Sequence, residues 1–230
     1  MFKVILIFIL ILSTHSIPII NLNESNTIIL RGQIDKESVS RTIYEINRND
    51  KKEELYLILD TYGGEVFHGM ELINELENHK INCIVQKAYS MGFALLQSCN
   101  KRYILPHSTV MQHQMSMGLS GEIGKINNNL LLAQQYENYL TNLQANRLNI
   151  DPILFSNKIN NEWWEFGNSI IKNNIADEMI YINCSPQLTN SNYTIKVRNF
   201  EYVYSNCPLI TKELDKKKTN KHDSYSFVFI

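Results

Sequence analysis

The stretch INCIVQKAYSMGFALLQSC, residues 81–99, decides how this chain is read. Its first half, 81–89, is an apolar run of strand length, and its second half, 90–99, is a short, mostly apolar helix. A strand running straight into a helix is the unit from which parallel sheets are built. Ser90 stands at the junction, followed by Met91 and Gly92. Serine is a favoured helix N-cap, because its hydroxyl accepts from a free N–H of the first turn. The same position suits a nucleophile with unpaired backbone donors beside it. The junction alone leaves both readings open.

Working outward, the alternation continues on both sides. TIILRGQID (27–35) reads as a strand ending in a turn, and 37–50 as a helix with Val39, Ile43 and Ile46 at helical spacing. ELYLILD (54–60) is a strand, TYGGEV turns, and 65–79 is an amphipathic helix through Val66, Met70, Ile73 and Leu76. KRYILPHSTVMQHQ (101–114) reads as two short strands around a Pro-His turn. A glycine-containing stretch, 115–125, precedes a long helix over 126–148. Asp151 caps a further helix over 151–161, with Pro152 at its first position. Residues 167–182 read as a helix leading to a last strand. This order predicts an α/β fold with a parallel sheet and crossover helices.

The totals narrow the function. The 230 residues are 44% hydrophobic, enough for one domain with a sizeable core. A net charge of −1 gives no broad attraction to nucleic acid. Lys3 and nine apolar residues, Val4 to Leu12, precede small and polar residues including Thr14 and Ser16. That pattern predicts a signal peptide over 1–16, since the run is too short to cross a bilayer. A domain over 17–184 follows, then a polar extension over 185–230. Secretion, or the lumen of the secretory pathway, is expected if the leader is removed, and the cytoplasm otherwise. Cys83 and Cys99 read as small buried apolar residues, whereas Cys184 and Cys207 could staple the extension. No CxxC and no histidine cluster suggests a metal, and no cofactor is expected.

Three candidates for chemistry fall at strand ends, the edge of a parallel sheet where sites form. They are Gly63-Gly64, Ser90, and His113 in VMQHQ. A serine nucleophile needs an imidazole to take its proton, and an acyl-transfer intermediate needs donors for its oxyanion. The N–H of Met91, in the first turn of a helix, is free to donate. A glycine at 63 or 64 lets backbone approach a substrate closely. His68 and His107 are rival bases.

The ordered motifs Tyr62-Gly63-Gly64, Tyr89-Ser90-Met91-Gly92 and Met111-Gln112-His113-Gln114 resemble the Clp-type serine peptidases over roughly residues 26–182. The resemblance implies the ClpP/crotonase fold, a spiral of ββα units with a handle helix. It implies Ser90 as nucleophile, His113 as base, and Gly63, Gly64 and Met91 at the oxyanion hole. It also implies a homo-oligomeric ring acting on peptides or unfolded proteins. Tyr62 replaces the family's proline and Tyr89 its alanine. The family's triad aspartate falls on Glu162, with Asn161 as neighbouring candidate; Asp60 and Asp177 match positions that are not catalytic. The short segment before TIIL leaves little for the loops that meet an ATPase, so that partner is doubtful. Three alternatives are a non-catalytic scaffold, an acyl-CoA enzyme of the crotonase type, and a Ser-Lys peptidase using Lys87.

Overall fold

The structure, a computed structural model, describes residues 16–49 and 54–218. The expected leader falls almost wholly outside these residues. The elements run β1 (Ile19–Leu22), β2 (Thr27–Ile34), α1 (Lys36–Arg48), β3 (Tyr56–Gly64), α2 (Val66–His79), β4 (Asn82–Tyr89), α3 (Met91–Ser98) and β5 (Arg102–Gln112). They continue with α4 (Ile123–Leu148), α5 (Pro152–Ile159), β6 (Trp163–Phe166), α6 (Asn168–Lys172), β7 (Glu178–Met179) and β8 (Tyr181–Cys184). The extension adds α7 (Pro186–Asn190), β9 (Asn192–Val197), β10 (Phe200–Ser205) and β11 (Asp215–Lys218).

The central sheet has the order β2-β3-β4-β5-β6, with β7 also on β5. Strands β2 to β5 are parallel, as the alternation predicts, and β6 is antiparallel. One face packs on the helices through Val39, Leu72, Ile73, Phe93, Leu95 and Phe155, all within 1% of complete burial. The other carries a smaller cluster built on Ile58, Ile84 and Leu105, closed by Ile180 and Ile182. There β1 pairs in parallel with β8.

Two expectations are corrected. Residues 101–114 do not form two strands around a turn: β5 is continuous. Its pairing with β4 jumps from Val85↔Ile104 to Lys87↔Thr109, so the Pro-His segment is an irregularity inside one strand. Ser108 makes this possible, because its hydroxyl accepts from Leu105 N–H at 2.8 Å and donates to the Val85 carbonyl at 2.5 Å. Cys83 and Cys99 are buried, but they are joined in a disulfide, as are Cys184 and Cys207. The extension is folded too. Strands β11-β10-β9 form an antiparallel sheet, and the Arg31 guanidinium lies 5.0 Å from the Tyr204 ring centre.

An ionic clamp fixes the far end of α3. Arg102, 3% exposed, donates to Gln97 at 2.7 Å and twice to Asp177. Arg147 donates to the carbonyls of Cys99 and Asn100, placing a cation at the negative end of α3. Partial burial alone would raise the Asp177 pKa. Hydrogen bonds from the Arg102 side chain and backbone, and the charges of Arg102 and Arg147, outweigh it and hold the carboxyl below the usual range.

A depressed carboxylate stabilises the fold above its unfolded pKa of about 3.9, and that contribution fades as pH falls through the lower folded value. Asp177→Asn is expected to cost about 2 kcal/mol at pH 7. This is less than a fully buried pair would lose, because the Asp177 side chain is 37% exposed. Urea unfolding measures it, with the gap to the parent narrowing as the pH is lowered below the ordinary carboxylate range.

Candidate active site

Strands β3, β4 and β5 end side by side, which brings the three sequence candidates to one edge. Tyr89 pairs with Met111, and Ser90 N–H donates to the Met111 carbonyl at 2.9 Å. Ser90 therefore lies one residue past the pairing on β4, and His113 two residues past it on β5. Both line one cleft, together with Gly64 and Met91. At about 90 Å³ the cleft is far below the ~300–1,000 Å³ of small-molecule pockets, and it suits a single side chain.

Ser90 occupies the N-cap position of α3 but does not cap it. Its hydroxyl makes no cap hydrogen bond, and its backbone sits at φ 53°, ψ −120°. Positive φ is unfavourable for a residue with a Cβ and typically costs about 1–3 kcal/mol. An ordinary cap has extended backbone and a bonded hydroxyl. Here the strain turns the side chain out of the strand direction and leaves the hydroxyl without a capping partner. Ser90 thus holds the N-cap position without performing the capping that the junction's first reading predicts.

Gly63 makes this turn possible. A Cβ there would stand 2.6 Å from the Ser90 Cβ, 2.7 Å from the Tyr89 carbonyl and 3.1 Å from the Met91 nitrogen. Its φ of +91° also requires glycine. The Gly63 N–H donates to Thr61 Oγ1 at 3.1 Å, so it is already engaged. Gly64 lines the cleft beside Ser90 and Met91. Met91 opens α3, where backbone N–H groups lack partners within the helix. The glycine pair thus divides its work: Gly63 provides close approach, and Gly64 faces the cleft.

His113 is partly buried, and its backbone N–H donates to Gln112 Oε1 at 3.0 Å. Gln112 in turn donates to Gln144 of α4, which donates to the Leu140 carbonyl. This chain ties the end of β5 to the long helix. The imidazole itself has no hydrogen bond or ion pair to any described residue.

Glu162 is not brought to His113. It is exposed, has φ 61°, and its carboxylate accepts from Trp164 Nε1 at 2.9 Å. Asn161 is exposed as well. Asp60 accepts from Arg31 at 2.8 Å and pairs with Lys87 at 3.0 Å. Burial would lower the Lys87 pKa, but its bonds to Tyr62 and Asp60 hold it above the ordinary value, which keeps it protonated and unfit as a base. His68 lies between Glu65 and Glu71 on α2, and exposed His107 lies outside the cleft. Among the described residues no group of His, Cys, Asp and Glu is arranged to hold a metal.

The two departures in the motifs touch each other. Tyr62 meets Tyr89 edge-on at 5.9 Å between ring centres, and Tyr89 meets Trp164 at 5.0 Å. Sequence reading passed over this aromatic file, because Trp164 arrives on the antiparallel strand β6, opposite Met111. Reading also passed over Glu137 of α4, among the described residues the one carboxylate that lines the cleft.

Comparison with known proteins fits this geometry. The chain is 31% identical over 107 residues to the ATP-dependent Clp protease proteolytic subunit 2 of Tropheryma whipplei, across 44% of this chain and 59% of that protein. It is 31% identical over 111 residues to the proteolytic subunit 1 of Frankia casuarinae, across 44% and 52%. A longer match, 25% identical over 162 residues, joins it to the proteolytic subunit of Borrelia garinii, across 66% and 83%. The chain thus aligns with little more than half the length of the first two relatives. The family model described as Clp protease matches residues 14–183, most of the chain, and the chain belongs to that family.

Proposed function

We propose that the chain is a serine peptidase that forms an acyl-enzyme at Ser90, with His113 as base and then acid. The observation that carries this reading is the strained, uncapped Ser90 sharing one cleft with His113. His113 takes the Ser90 hydroxyl proton as Oγ bonds to the substrate carbonyl carbon. The N–H groups of Gly64 and Met91 receive the oxyanion. The C–N bond then breaks, and His113 hands the proton to the leaving amine. Water, deprotonated by His113, attacks the ester. Collapse of that intermediate frees the acid, and His113 returns the proton to Oγ.

The substrates in this reading are peptides or loosely folded chains, and the assembly is a ring of identical subunits. The relatives are named as ATP-dependent, but this chain is proposed to work without an ATPase. Residues 19–22, one turn ahead of β2, support that, since they pair as β1 with β8. All four cysteines are paired, which supports residence in an oxidising compartment and the secretory reading of residues 1–16. The unpartnered His113 imidazole favours a second reading, an inactive scaffold that keeps the fold.

A fluorophosphonate probe separates the two. Labelling of the protein, lost in Ser90→Ala and reduced at least about 100-fold in His113→Ala, is the expected result. A folded protein that stays unlabelled would leave only the scaffold. Because Trp164 holds its carboxylate, Glu162→Gln is expected to slow labelling far less than His113→Ala; an equal loss would make Glu162 the third member of a triad. Gly63→Ala is expected to abolish labelling and to cost at least about 1 kcal/mol in stability. Labelling at the parent rate in that variant would show that the close approach at Gly63 is dispensable.

A further inference from the structure

Cleft-lining residues of α4 fall at Glu137, Leu140, Thr141 and Gln144, the i, i+3, i+4, i+7 spacing of one helix face. The two ends of that face differ in environment. Gln144 is 3% exposed, Leu140 is 8% exposed, and Glu137 is only half-buried. The face covers about 10 Å of helix, from a closed floor to an open rim.

At the floor the polar groups satisfy each other, since Gln112 donates to Gln144 and Gln144 to the Leu140 carbonyl. The walls are apolar, formed by Val66, Ala94, Leu140 and Ile159. At the rim, the Glu137 carboxylate has no hydrogen bond or ion pair to any described residue. A cleft with apolar walls and one unpaired carboxylate at its mouth complements a long aliphatic stem with a cationic head. At a half-exposed rim, neither charge loses all of its hydration, so the attraction is not cancelled by desolvation.

We infer that Glu137 is a specificity-determining residue, which makes the site prefer Lys or Arg at the residue whose carbonyl Ser90 attacks. The inference rests on the peptidase reading above. Ser90 and Met91 both line the cleft, so in this reading it receives the side chain on the acyl side of the bond. The methylenes lie against Leu140 and Ala94, and the charged head meets Glu137.

The test uses two peptidyl diphenyl phosphonates that differ only in the terminal residue, lysine or its uncharged near-isostere norleucine. The readout is the ratio of their inactivation rates within each protein, which cancels any change in Ser90 reactivity. The parent is expected to favour the lysine probe roughly 10-fold, about 1.4 kcal/mol. The ratio should fall to near one in Glu137→Gln and shrink in the parent as salt is raised. Glu137→Lys should favour norleucine. A parent that reacts with the fluorophosphonate but shows the same ratio as Glu137→Gln overturns the inference and leaves the peptidase reading standing. A parent that reacts with none of the probes overturns both.

Discussion

The backbone of Ser90 is the constraint on which the site depends. A serine at φ 53° is held there against its own preference, and several neighbours have to hold it. The Met111 carbonyl takes its N–H, and its own carbonyl accepts from Phe93 N–H at 2.9 Å. Gly63 lies where any side chain would collide. Release one of these, and the serine can relax to an ordinary helix cap. The arrangement is therefore cooperative: β3 supplies the space, β4 the residue and β5 the anchor.

The remaining architecture keeps that junction still. The helix that starts at Ser90 is buried along its whole length, from Met91 to Ser98. A disulfide joins Cys83, near the start of β4, to Cys99, just after α3, so the turn lies inside a closed covalent loop. Two arginines seize the far end of α3, one through Gln97 and one through the terminal carbonyls. His113 is anchored separately, through Gln112 and Gln144 to α4. Ser90 and His113 thus belong to different supports that meet at the sheet edge.

Much of this was legible in the chain itself. The run 81–99 announces strand, turn and helix, and the parallel sheet follows from alternation over 27–99. What stayed hidden was what depends on distant partners. Strand β1 exists because Ile19–Leu22 finds β8 some 160 positions later in the chain, which no local pattern announces. Strand β5 reads as broken because Pro106 and His107 look like a turn, and only the Ser108 hydroxyl shows how one strand absorbs them. The polar extension looks solvated by composition, yet it gains structure from a disulfide and from tyrosines stacked on Arg31. Glu162 was placed by alignment with a motif, and the backbone at φ 61° turns it toward Trp164 instead. Glu137 carries no motif at all and becomes visible only when α4 is laid over the cleft.

The aromatic file beside Ser90 gives the molecule an optical property. It has two tryptophans, adjacent in sequence and opposite in environment. Trp163 lies inward, 5.9 Å from Phe93 and 6.5 Å from Phe155 between ring centres. Trp164 lies outward on Tyr89, the residue just before Ser90. Trp163 therefore reports on the packing around Phe93 and Phe155, and Trp164 on whatever settles at the sheet edge. The protein carries its own fluorophores for both.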